Sequence, residues 1–223
     1  FAGSASISCT DCPVGTFLVN AATPSESVAC DNCAAGTYSD AAATAVCLNC
    51  PIGKFLTDPG SSASLHDNEE DCEVCGVGTY NGVPGAASCT SCPVGTYLPP
   101  SATSSEAHDE LADCSTCESG SYADEVGSPE CISCPAGTYL ADDGTSADEH
   151  NSVSSCKICP AGYFLADDGT DPQLHSSPVQ CLVCAAGKFI EDDATTAALH
   201  AECLSCPAGT FIRDDAQSAS AHD

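Results

Sequence analysis

The twenty cysteines of this chain fall into ten Cys-x-x-Cys pairs, and none stands outside the pattern. The pairs are Cys9/Cys12, Cys30/Cys33, Cys47/Cys50, Cys72/Cys75, Cys89/Cys92, Cys114/Cys117, Cys131/Cys134, Cys156/Cys159, Cys181/Cys184 and Cys203/Cys206, each opening a module; we number the modules 1 to 10. In 223 residues this is roughly one cysteine in eleven, the density of a disulfide scaffold or a multi-zinc array. Zinc would take two pairs about 15–20 residues apart, and Cys12 and Cys30 fit that spacing. Such sites would group modules two by two with looser linkers, whereas the register is near-uniform. They would also add negative charge to an acidic chain. A thioredoxin-type redox pair needs a βαβ context that the sequence lacks. Disulfides are the favoured chemistry, and the spacing alone leaves their connectivity open.

Covalent links are needed because apolar material is scarce. The hydrophobic fraction of 43% includes 33 Ala and 20 Cys, with no Met and no Trp. Burial of so few large side chains cannot offset chain entropy. The repeat fixes the architecture instead. Between Cys30 and Cys156 short and long steps alternate in a 42-residue superperiod marked by Cys30, Cys72, Cys114 and Cys156; after Cys131 only longer steps follow. Fixed-period similarity signals an array in which each unit contacts its neighbours. The chain therefore reads as one continuous tandem array over 1–223. Residues 1–8 are a lead-in from a preceding module and 207–223 an open last module. It begins at Phe1 with no signal peptide, which reads as a processed or excerpted segment.

Each pair is followed by the same text. Gly lies three residues past the second Cys in all ten modules, from Gly15 to Gly209, and an aromatic lies five past it, from Phe17 to Phe211. This predicts a tight turn that needs glycine, then a short extended stretch whose aromatic covers a disulfide. All six histidines share one register, 16 past the second Cys of a long module: His66, His108, His150, His175, His200 and His222. Asp58, Asp142, Asp167, Asp192 and Asp214 lie eight past that Cys. A small, hydroxyl-rich stretch before each His predicts a one-turn helix with a hydroxyl cap. The histidines are expected to bond backbone or carboxylate and pin the long loops. The Asp-Asp steps at Asp142, Asp143, Asp167, Asp168, Asp192 and Asp193 are candidate calcium ligands without a full EF-hand pattern. Stacked histidines also offer a pH switch.

Strings such as Cys134-Pro-Ala-Gly-Thr-Tyr139 and Cys92-Pro-Val-Gly-Thr-Tyr97 resemble the ephrin-receptor-like and TNF-receptor-like cysteine-rich repeats. The resemblance covers nearly the whole chain. Such repeats occur in receptors, complement-like proteins and large extracellular surface proteins of algae and protists. It implies small disulfide-rich repeats forming an elongated, solenoid-like rod of short β-hairpins and irregular loops, with little helix and no single hydrophobic core. It also implies that the second Cys of one pair bonds the first Cys of the next: Cys12 with Cys30, Cys33 with Cys47, Cys50 with Cys72, Cys75 with Cys89, Cys92 with Cys114, Cys117 with Cys131, Cys134 with Cys156, Cys159 with Cys181, and Cys184 with Cys203. That ladder leaves Cys9 and Cys206 over, as candidates for a bond to another segment.

The net charge of −28 argues against a nucleic-acid partner. No apolar run approaches the roughly 20 residues of a membrane span. No phosphate loop, nucleophile elbow or HExxH motif occurs. No resident cofactor is called for. No Asn opens an N-glycosylation sequon, and the dense Ser and Thr make O-linked glycans the expected modification. The sequence thus predicts a non-enzymatic extracellular rod or filament, such as a fibre, coat or flagellar-hair-like appendage. Its partners would be copies of itself or flanking repeats, and the alternative is a receptor or adhesion stalk binding a protein or glycan.

Overall fold

The computed structural model describes residues 10–19, 30–191, 196–212 and 219–222. They form two compact units, one of Phe1–Thr90 with Ser101–Asp113, the other of Ser91–Pro100 with Cys114–Asp223. Nine two-stranded sheets carry the regular structure, and no α-helix occurs among the described residues. The fold is a disulfide-rich repeat of hairpins.

The repeating text dictates each hairpin. In module 1 the amide and the hydroxyl of Thr16 both donate to the carbonyl of Pro13, at 3.2 and 2.6 Å. Gly15 at the third turn position has φ +77°, as a type II turn requires. The turn delivers the strand Thr16–Leu18, which pairs antiparallel with Cys30–Asn32. In unit 1 the same unit recurs with Lys54–Phe55 against Glu73–Val74, and in unit 2 with Thr138–Tyr139 against Lys157–Ile158. The second strand of each hairpin opens on or just after the first Cys of the following module.

Nine disulfides therefore close the feet of the hairpins. They join Cys12 to Cys30, Cys33 to Cys47, Cys50 to Cys72, Cys75 to Cys89, Cys92 to Cys114, Cys117 to Cys131, Cys134 to Cys156, Cys159 to Cys181, and Cys184 to Cys203. Their sequence separations run from 14 to 22. Loops of that size contribute about 3 kcal/mol each in the chain-entropy account. Cys206 is a free thiol, and Cys9 lies outside the described residues.

The small cores sit across module borders. Tyr38 of module 2 packs with Leu56 against the Cys50–Cys72 bridge of module 3. Tyr122 and Leu140 do the same at Cys134–Cys156. Tyr139 lies on the cluster of Cys159, Leu165 and Cys181. The expected aromatic cover is thus real at these sites but shared. Most of the aromatics are half-buried, and Phe211 is exposed. The deeper burial belongs to the residue six past the second Cys: Leu56, Leu98, Leu140, Leu165 and Ile190. Each such aliphatic side chain contributes about 1.5–3 kcal/mol. In the short modules that position holds Ser39, Asn81 or Ala123, also buried. Ser39 satisfies its hydroxyl locally, and Asn81 satisfies its amide by donating to the Lys54 carbonyl of the preceding module and accepting from the Val83 amide.

The predicted one-turn helices are 3-10 turns, such as Ala63–Leu65 and Ala147–His150. Ser62, Ser104 and Ser146 stand at the cap positions with extended backbone and make no side-chain cap bond. A single 3-10 turn has few orphan amides to satisfy, and the hydroxyls are not recruited. Asp171 does cap its turn, accepting from the Gln173 amide.

Candidate functional site: the buried histidine register

Among the described residues, the long loops place side chains with the same chemistry several times over. All six histidines are fully buried. Each reaches back to the hairpin of the preceding module. Nδ1 of His66 donates to the Thr37 carbonyl at 2.6 Å, and the His66 carbonyl accepts from the Ser39 amide at 2.8 Å. The ring and its own main chain thus grip one strand at two points. His108 grips Thr79 and Asn81 in the same way, and His150 grips Ser121 and Ala123. His175 takes Thr138 and Leu140, His200 takes Tyr163 and Leu165, and His222 takes Lys188 and Ile190. In every case the carbonyl is four past and the amide six past the second Cys of the module before.

The same loop also reaches one module further. The carbonyl three residues before each His lies over a turn glycine two modules back. A Cβ on Gly15 would stand 2.0 Å from the Ala63 oxygen, and one on Gly53 2.0 Å from the Ser105 oxygen. Gly95, Gly120, Gly137 and Gly162 meet Ala147, Pro172, Ala197 and Ala219 in the same way. These glycines are required twice, by positive φ and by a main chain resting where a side chain would be. The glycine amide adds a third contact, donating to the following module: Gly15 to Ser39 and Gly137 to Leu165.

The far side of the ring varies. Nε2 of His66, His150 and His175 lies 2.9 Å from Oδ2 of Asp58, Asp142 and Asp167. The Ser61 hydroxyl and the His66 ring hold the Asp58 carboxyl well below the usual carboxylate range. The bonded His150 ring and the Gly144 amide lower Asp142, and His175 with the Gly169 amide lower Asp167, in each case against a smaller opposing effect of desolvation. Nδ1 is committed as a donor by its carbonyl partner, and the lowered carboxylate faces Nε2. These three contacts are buried at their ring end and partly solvated at their carboxylate end. His108 differs: its Nε2 faces the Ala102 carbonyl at 2.9 Å, because the eighth position past Cys92 is Pro100 and not Asp.

Chemically the register is a set of clasps. In His66, His108, His150 and His175 both ring nitrogens are spent on structural bonds. Of the calcium candidates, Asp142 and Asp167 give Oδ2 to a His ring and a glycine amide. Asp143 and Asp168 are exposed, while Asp192 and Asp193 lie outside the described residues. A separate acidic group, Asp109, Glu110 and Asp113, has its carboxylate oxygens within 4.8 Å of one another. Sequence reasoning placed the histidines in one register but missed the strand they grip. The aliphatic residue six past the Cys is the signal that could have found it, since it is large wherever a long loop follows in its own module.

The family model described as tyrosine-protein kinase ephrin type A/B receptor-like matches residues 21–67, 62–108 and 105–150. The three matches tile the superperiod, and each ends at or one residue after a clasping histidine. No curated protein matches the chain.

Proposed function

We propose that this chain, which belongs to the ephrin type A/B receptor-like family, is an extracellular structural repeat protein that forms a rod or filament. The supporting observation is the repeated three-way contact of each long loop, with its own disulfide, the strand one module back and the glycine two modules back. Bonds of that kind transmit load along the chain by covalent and main-chain links and need no large core. Nine disulfides suit an oxidising compartment outside the cell. In this reading the chain is not an enzyme, because its repeated buried groups serve as fasteners. Cys206 carries the ladder onward by bonding a Cys9 of another copy, and the exposed Ser and Thr of the long loops carry O-linked glycans. A heterologous contact of that type propagates without closing.

Electron microscopy of the oxidised protein, paired with a non-reducing peptide map, tests this. We expect regular filaments and a peptide joining Cys206 to Cys9, with Cys206→Ser giving short particles. Monodisperse chains captured by a second protein would instead favour a receptor or adhesion stalk. That second reading draws on an open apolar groove of unit 2 lined by Phe164, Leu174, Val179 and Leu182, where Val179 is 77% exposed.

A further inference from the structure

The clasp of module 5 poses a proton-counting problem that those of His66, His150 and His175 do not. His108 is fully buried, with Nδ1 2.6 Å from the Thr79 oxygen and Nε2 2.9 Å from the Ala102 oxygen. Both partners are main-chain carbonyls, which only accept. A neutral imidazole has one N–H and can satisfy only one of them; its other nitrogen would point a lone pair at an oxygen. Only a ring with two N–H groups makes both bonds. The titratable groups on the elements packed around it are Glu106, Asp109, Glu110 and Asp113 on its own loop, Tyr80 on the strand it grips and Lys54 beside the glycine under Ser105. The ring nitrogens bond to none of these; they go to the two carbonyls.

We propose that His108 is a proton-gated latch: a buried imidazolium that bridges the Thr79 and Ala102 carbonyls, locks loop 101–113 onto the preceding hairpin, and releases it when the second ring proton is lost. Burial without a carboxylate penalises the cation, so hydrogen bonding alone holds the proton. The sign follows from linkage. The latched state binds a proton that the released state gives up, so latching weakens as pH rises, by up to about tenfold per pH unit for one proton. At His66 the Asp58 carboxylate, and not a carbonyl, faces Nε2, so its loop holds where the His108 loop opens.

Two readouts on the oxidised full chain test this. The first is the 15N shifts of the histidine rings from pH 5 to 9. The second is amide protection at Asn81, which donates to the His108 carbonyl, and at Ser39, which donates to the His66 carbonyl. We expect His108 to show two protonated nitrogens while Asn81 is protected. Asn81 protection should then fall by up to tenfold per pH unit while Ser39 protection stays level. A neutral His108 ring coexisting with full Asn81 protection overturns the proposal, as does parallel loss at Asn81 and Ser39. His108→Gln removes the titrating group, and its Asn81 protection should be independent of pH; persistence of the pH dependence in that variant also overturns it. The ring spectrum needs no variant, so failure of His108→Gln to fold leaves the test intact.

Discussion

The long loops that end at His66 and at His108 are built to the same plan and finished differently. Each rests a carbonyl on a turn glycine two modules back, Ala63 on Gly15 and Ser105 on Gly53. Each grips a Thr carbonyl one module back, at 2.6 Å in both cases. Beyond the ring, Asp58 supplies a carboxylate to one and Ala102 a carbonyl to the other. The gripping geometry is therefore set by main-chain register, which the repeat fixes. The chemistry behind the ring is left to one side chain, which the repeat allows to change.

The heaviest blow to either loop should fall on what they share. Gly15→Val and Gly53→Val each force a β-branched residue to positive φ and a side chain into the main chain resting on the glycine. Strain and overpacking together should cost about 3 kcal/mol or more, equally in both, by denaturant unfolding with disulfides intact. A clear inequality between the two would break the claim of a common seat. A smaller effect, about 2–3 kcal/mol, is expected of His66→Ala and His108→Ala, which leave a buried carbonyl unpaired and a cavity. Here the loops should separate at alkaline pH: His66→Ala keeps its full cost there, while His108→Ala loses most of its own.

The smallest effect is at the acid end. Asp58, Asp142 and Asp167 have lowered carboxyl values in the folded chain. Their contribution is full above the ordinary aspartate value of about 3.9 and is lost as pH falls through the folded values. Amide protection at Ser39, Ala123 and Leu140 should therefore decline in strong acid, while Asn81, whose clasp uses no carboxylate, should hold. Equal loss at all four would show that the carboxylates do not set the difference.

The turn glycines, the place of the aromatics and the His and Asp registers can all be read from the spacing, because each leaves a residue type at a fixed offset. Hairpins follow from the turn text around Pro13 to Thr16. Connectivity needed the likeness to known repeats, since equal spacing permits several pairings. The grip on Thr37, Thr79 and Ser121 could not be read, because it is made to carbonyls and any residue supplies one. The Leu56 and Leu140 cores were missed for a related reason. A single aliphatic residue per module shows no helical or strand period. The absence of cap bonds at Ser62 and Ser104 was equally invisible, since the hydroxyl pattern is the same for an α-turn and a 3-10 turn.

The contact two modules back has a consequence for synthesis. Each hairpin can be closed by its disulfide within 14 to 22 residues of chain, but Gly15 waits for Ala63 and Gly53 for Ser105. At about 5–20 residues per second, some 50 further residues take on the order of seconds to emerge. A freshly exported module can thus be cross-linked before it is seated. For that interval its turn and strand edge remain open to the solvent and to other proteins. Any modification that must reach those atoms has a deadline, set by the arrival of the second module downstream.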